Sequence, residues 1–361
     1  MLTLYHFSGK MSRSAEETRG KGTIFRPVSR ERAGKMGAEV IPVKKEILLS
    51  FLAGLVLPVV LALAFQRAPG VGDVESDALT PTRAAVDGKE QLTVLAKSGN
   101  LQQMSLDEYL VGVVLAEMPA DFDSEALKAQ AVVARTYTRR RMDSGKHNKA
   151  AVCMDPGCCQ GWRSNEDYLD NGGRQSSIDK VRRAVADTDG AVLCYDGKLI
   201  DATYFSCSGG STEDAVAVWG QDVPYLQAVE SPGEEAAPRY SDSVTFTAAE
   251  LAGKLGIENR GDPAGWFSDV TYTVGGGVES ISVRGKTFSG TGFRSKRALR
   301  STAFSVAVEG KSITITTRGF GHRVGMSQYG AQAMAERGAD FARILSHYYT
   351  GAELVWLGEG T

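Results

Sequence analysis

The chain has no surplus of basic residues. Its 41 Lys and Arg stand against 43 Asp and Glu, a net charge of -2, so the basic face expected of a nucleic-acid partner is missing. No internal repeat of fixed period and no long low-complexity tract runs through its 361 residues, which excludes a solenoid. Cysteine is scarce and odd in number, five in all, so a complete disulfide framework cannot use every one. There is no HExxH helix, the pattern that sets two histidines and a general base around a hydrolytic zinc. Regular strand–helix alternation is absent too, which points to an α+β fold of mixed helices and antiparallel strands. What remains is enough chain for one or two domains with a real core.

One uncharged run stands out. Residues 47–65, ILLSFLAGLVLPVVLALAF, nearly match a hydrocarbon core of roughly 30 Å at about 1.5 Å per residue, and Pro58 is tolerated inside such a helix. Residues 1–45 carry ten Lys/Arg against four Asp/Glu, a bias that keeps this end cytoplasmic. The expectation is a single-pass transmembrane helix over 46–66, a disordered cytoplasmic segment over 1–45 and a small, polar linker over 67–91. An extracytoplasmic folded region over 92–357 follows, built as one or two subdomains. Lys44-Lys45 would serve a start at Met36 as well as one at Met1. A cleaved signal peptide is the rival reading, but the run is longer than an ordinary h-region and QRAPG is an indifferent cleavage site.

LTVLAKSGNLQQMSL alternates and reads as a strand and turn. Ser105-Leu-Asp-Glu108 is a capping box that starts a helix near Leu106. Pro119 ends that helix, because the residue before a proline avoids helical backbone. A second helix is expected from about Asp123 to Arg141, and a third over 177–187. AVLCYDGKLIDATYFSC reads as a hairpin turning at Asp196-Gly197. A short helix over 245–256, several strands over 268–317, and helices near 327–338 and 340–349 complete the expectation.

The apolar run LVGVVLAEMPADF stops on Glu117. A carboxylate at a helix C-terminus meets the negative end of the dipole, and apolar neighbours desolvate it. Both raise its pKa, which suits a general acid for glycosidic cleavage. The plain alternative is a solvated helix-end glutamate. KHNKAAVCMDPGCCQGW clusters His147, Cys153, Cys158 and Cys159. These donors suit zinc, and a local disulfide is the alternative outside the cytoplasm. Cys194 and Cys207 read as separate buried thiols. FSCSGGSTE and RGFGHRVGMSQYGAQ are glycine loops that would let a sugar chain lie close to the backbone, or else tight structural turns. Tyr204, Trp219 and Tyr225 are available for stacking on sugars.

Three blocks together resemble the stage II sporulation protein D family. They are SLDEYLVGVVLAEMPADFDSEALKAQAVVARTYTRRR, then TYFSCSGGSTEDA with VWGQDVPYLQAVESP, then RGFGHRVGMSQYGAQAMAERGADFARILSHYYTGAELV. The resemblance covers nearly all of 92–357 and implies that this is a grooved catalytic region, that of a peptidoglycan lytic transglycosylase. Such an enzyme acts on glycan strands stripped of stem peptides during forespore engulfment. It implies Glu117 as the single acid/base, with Arg135 positioned to hold it or a sugar oxygen; a structural salt bridge is the alternative for Arg135. It implies a structural zinc held by His147, Cys153 and Cys159, leaving Cys158 spare and a fourth ligand unseen. The expected substrate-binding set is Gln130, Tyr204, Ser206, Ser208, Gly209, Gly210, Thr212, His322 and Gln328. Where the family has a glycine after the histidine, this chain has Arg323. A hydrolase would need a second carboxylate, for which Asp121, Asp123 and Asp201 are candidates. The resemblance also implies a sporulation amidase and a membrane protein as partners, and a place in the cell membrane facing the engulfment space. A wall-binding enhancer of a partner amidase, without cleavage of its own, is the competing function.

Overall fold

The computed structural model describes residues 90–142, 146–297 and 299–358. The expected anchor, the cytoplasmic segment and nearly all of the linker lie outside them. No helix among the described residues is long and apolar enough to cross a membrane.

The chain opens with an antiparallel hairpin, β1 (Gln91–Leu95) and β2 (Leu101–Ser105), so the stretch read as one strand and a turn holds two strands. Ser105 then caps α1 (Leu106–Glu117): its backbone N–H donates to Glu108 Oε2 at 3.1 Å, completing the capping box. The helix ends where Met118 turns extended before Pro119, at φ -128° and ψ 142°. Eight of its residues are buried, so it runs through the core rather than over it. The second helix, α2 (Ser124–Met142), packs beside it.

A short strand, β3 (Val152–Cys153), joins β1 in parallel. Helices α3 (Asn165–Asp170) and α4 (Gln175–Asp187) lead to β4 (Ala191–Tyr195) and β5 (Lys198–Leu199). Their turn has Asp196 at φ 47° and Gly197 at φ 69°, the left-handed pair a type I′ hairpin needs. Cys194 faces Leu199 across it, as counting from the turn requires. The chain then leaves the hairpin: β6 (Tyr204–Phe205) pairs elsewhere, and β7 (Gly210–Ser211) pairs with β8 (Glu230–Ser231) around the one-turn helix α5 (Ala215–Trp219).

Residues 241–318 build a second hydrophobic cluster. The strand β9 (Ser241–Thr247) runs three residues into the segment expected to be helix, and α6 begins only at Ala248, capped by Thr247 and Glu250, ending at Leu255. One antiparallel sheet joins β10 (Phe267–Tyr272), β11 (Val278–Val283) and β12 (Lys286–Ser289). Helix α7 (Gly290–Arg297), absent from the sequence reading, follows. A second sheet joins β9 to β13 (Phe304–Glu309) and β14 (Ser312–Arg318). Trp266, Phe288, Phe293, Phe304, Ile313 and Ile315 fill the space between.

The chain returns to the first core through β15 (Met326–Ser327), which pairs in parallel with β6. Helices α8 (Gln328–Glu336) and α9 (Phe341–Tyr348) pack there, and β16 (Glu353–Trp356) closes against β4. Mixed helices and largely antiparallel strands make this an α+β fold.

Candidate active site

Glu117 ends α1 half-buried, its side chain on a cavity of about 310 Å³. Gly161 N–H donates to its Oε1 at 2.6 Å. Burial pushes its pKa above the ordinary carboxylate value; the Gly161 N–H and a hydrogen bond from Tyr204 pull only partly the other way. Gly161 has to be glycine, since a methyl there would lie 2.8 Å from Glu117 Oε1. The backbone behind it runs along α1. Trp162 lies flush on Gly112, and Arg163 N–H donates to Gly112 O at 3.1 Å.

Tyr204, Gln160, His322, Phe320 and Arg294 line the same cavity. Tyr204 Oη donates to Gln160 Oε1 at 3.3 Å, and Gln160 Nε2 donates to Thr138 Oγ1 at 3.0 Å. His322 Nδ1 accepts from Val324 N–H at 3.1 Å. Burial, assisted by the Arg294 charge, lowers the His322 pKa to about 4. The ring is therefore neutral at physiological pH and committed to the backbone. Glu117 is the one carboxylate among the described residues on the cavity wall. Two of the candidates for a second acid are engaged elsewhere, Asp201 with Arg140 and Arg141 and Asp123 with the first turn of α2, and the third, Asp121, is exposed and does not line the cavity.

The remaining expected site residues sit behind this wall. Arg135 is fully buried, and its guanidinium donates to Val185 O, Ala191 O and Thr188 Oγ1 at 3.1–3.4 Å. It ties the C-terminal end of α4 to β4, not the cavity. Gln328 Nε2 donates to the Glu117 carbonyl at 3.0 Å and to Gln130 Oε1 at 3.3 Å. These two glutamines fix the backbone of Glu117 from inside.

The glycine loops pack on each other. Gly209 (φ 81°) and Gly319 (φ 80°) stand back to back, where a methyl on Gly319 would meet Ser208 O at 2.5 Å. Ser208 and Gly209 donate backbone N–H groups to Glu234, Gly210 N–H donates to Ser208 Oγ, and Thr212 N–H to Val229 O. Ser206 offers its carbonyl to Tyr329 N–H. Arg323, itself left-handed at φ 67°, donates to Ser208 O, Ser211 O and Gly275 O at 2.7 Å each and to Glu213 Oε1 at 2.9 Å. The glycines permit backbone to meet backbone, and Ser208 and Thr212 are fully buried. Of the expected substrate-binding residues, Tyr204 and His322 reach the cavity.

The Cys-rich loop closes on itself beside the cavity. The ligand atoms of His147, Cys153, Cys158 and Cys159 all lie within 4.8 Å of one another, and all five cysteines are free thiols. His147 Nε2 sits 3.3 Å from Cys159 Sγ and 3.8 Å from Cys158 Sγ. A tetrahedral zinc with Zn–S near 2.3 Å spaces its ligands roughly 3.4–3.8 Å apart, so the donor set fits. Cys158, read as spare, lies in the same cluster. Cys159 also lines the cavity. Gln160 and Arg294 were not foreseen. Gln160 adjoins the cysteine ligands in sequence, which could have flagged it; Arg294 lies on the unforeseen helix, and nothing in its sequence neighbourhood marks it.

A family model described as Stage II sporulation protein matches residues 96–195, the span from just after β1 to the end of β4 that includes Glu117, His147, Cys153, Cys158 and Cys159. The chain is 38% identical to Stage II sporulation protein D of Bacillus subtilis (strain 168), over 85% of this chain and 94% of that protein. It is 36% identical to Stage II sporulation protein D of Bacillus amyloliquefaciens over the same shares. It is 30% identical to a protein of Bacillus subtilis named Amidase enhancer, covering 68% of this chain and 40% of that one. The chain belongs to the stage II sporulation protein D family.

Proposed function

We propose that the protein is a membrane-anchored lytic transglycosylase that cleaves peptide-free peptidoglycan strands, with Glu117 as its single acid and base. The observation that carries this reading is a carboxyl group whose hold on its proton is strengthened by burial, the one carboxyl among the described residues on the wall of a cavity. Gly161 occupies Oε1, so Oε2 carries the proton. Oε2 donates it to the glycosidic oxygen, and the bond to the anomeric carbon breaks. Positive charge builds on that carbon and the ring oxygen. The Glu117 carboxylate then takes the proton from the 6-hydroxyl of the same sugar, whose oxygen closes on the anomeric carbon as a 1,6-anhydro ring. No water enters, and no opposing carboxylate is required.

His147, Cys153, Cys158 and Cys159 would hold a structural zinc. When bound, it would staple the loop that presents Gly161. The apolar run over 47–65 would anchor the chain, with the folded region on the outer face, where a sporulation amidase and a membrane protein would be its partners.

The test incubates the purified protein with peptide-free strands and reads the products by mass spectrometry, beside Glu117→Gln. Anhydro-ended products from the wild type alone support the reading. Reducing ends that have gained water would make it a hydrolase. The second reading, an enhancer of an amidase, rests on the likeness to the Amidase enhancer. Binding without product in either protein would favour it.

A further inference from the structure

The cavity that holds an acid also holds a cation. Arg294 projects from α7, within the second hydrophobic cluster, and lines the wall that Glu117 shares. Its Nε donates to Leu299 O at 3.3 Å, which orients the guanidinium. No other acceptor among the described residues takes its terminal nitrogens, and no ion pair among them includes it. Burial lowers its pKa with no opposing charge to offset the loss. Arg323 faces Glu213, Arg300 faces Asp242 and Arg135 is spread over three oxygens; Arg297, on the same helix, is buried with the Lys254 carbonyl as its acceptor but does not line the cavity. Arg294 is the one arginine or lysine on the described wall of the cavity. An arginine withdrawn from water without a partner is costly. An anion that enters the cavity would repay that cost, and the guanidinium fork suits a planar carboxylate.

We propose that Arg294 is a specificity residue that pairs with a carboxylate carried by the sugar chain, the lactyl group at O3 of muramic acid. This rests on the reading of the cavity as a glycan-cleaving site, and it names what the site selects. In a strand that still bears stem peptides, that carboxyl is an amide. It then has no charge for the guanidinium and carries a bulky substituent into the cavity. Removal of the peptide uncovers the anion that Arg294 recognises. A chain of uncharged N-acetylglucosamine never carries it.

The test measures binding without cleavage, using the full chain with Glu117→Gln as background. Three ligands of matched length are titrated: peptide-free strands, the same strands with lactyl carboxylates converted to methylamides, and a chitooligosaccharide. With Arg294 present, methylamidation should weaken binding at least tenfold, and the chitooligosaccharide should bind as weakly as the amide. With Arg294→Gln added, affinity for the peptide-free strand should fall by a similar factor and methylamidation should cost nothing further. Arg294→Lys should keep part of the preference. An equal amidation penalty with and without Arg294 overturns the proposal, as does no penalty with Arg294 in place, or no binding of peptide-free strands at all. If Arg294→Gln fails to fold, the amide comparison on the Arg294-bearing protein still decides. Failure of the cleavage reading would appear separately, as missing anhydro products from the wild type.

Discussion

Glu117 and Glu213 are both carboxylates withdrawn from water, and their surroundings differ in every other respect. Glu213 is fully buried, faces the Arg323 guanidinium at 2.9 Å and accepts a further hydrogen bond from Thr273 Oγ1 at 3.0 Å. This ion pair fastens the 208–213 loop to the 319–325 loop. Glu117 has a backbone N–H on one oxygen and no ion-pair partner among the described residues. Its neighbourhood favours the proton. Desolvation therefore does not by itself distinguish a reactive acid from a scaffold acid. The presence or absence of a dedicated cation does.

The contrast breaks first at Glu117→Gln. Cleavage should fall by about 10²–10⁴-fold, the usual worth of a general acid, while strand binding and the melting temperature hold. Arg323→Ala should do the reverse. Leaving Glu213 buried and uncompensated should cost about 3–5 kcal/mol in denaturant unfolding, with activity per folded molecule retained. If both variants lost stability equally, Glu117 would be a scaffold acid too. Cys158→Ser should lower the melting temperature and Cys194→Ser should not, because only the first removes a donor of the four-ligand cluster; about 1 kcal/mol corresponds to roughly 2–4 °C in a chain of this size. Gly161→Ala should reduce cleavage about tenfold at nearly unchanged stability, the worth of one hydrogen bond to a charged group, since the added methyl displaces the carboxyl it supports.

The smallest effect concerns stability against pH. The folded state raises the Glu117 pKa above 4.5. The folded protein thus holds this proton more tightly than the unfolded chain does. That contribution is complete below about 4.5 and is lost as the pH rises through the folded value. Glu117→Gln should therefore be slightly the more stable protein at neutral pH, and the difference should vanish in acid. Calorimetric scans across the range would test it.

The first core was largely legible because its signals are local. The Ser105–Glu108 capping box and Pro119 fix α1 to the residue, and Asp196-Gly197 fixes its hairpin. The second cluster was harder. TFTAAELAGKL reads as helix throughout, but β14 recruits Thr245–Thr247 into a ladder and the helix waits for its cap. GTGFRSKR has two glycines in its first turn and no strong periodicity, so α7 was missed. Glu117 stands out in the sequence because a chain break and a lone charge coincide there, and it was the family resemblance that singled it out as an acid. The glycine loops hold two kinds of position: Gly209 packs on the 318–319 backbone, whereas Gly321 lines the cavity and Gly210 has open space above it. A left-handed glycine that admits a ligand and one that admits another backbone look alike in sequence, and only the partner across from Gly209 tells them apart. The sequence set Cys158 aside, but two adjacent cysteines cannot be ranked as donors without their loop, which brings both thiols into one cluster with His147 and Cys153.

The commitment of His322 to the backbone has a kinetic consequence. An imidazole with a pKa of about 4 keeps one charge state over the range in which cell-wall enzymes are assayed, and burial holds the Tyr204 phenol protonated well above 10. Neither can contribute an ascending limb to a plot of rate against pH. With one carboxyl serving as acid and then as base, the plot should be a plateau that falls along a single alkaline limb as Glu117 loses its proton before the substrate arrives. A bell-shaped curve, with its second pKa, would mean that another group shares the work.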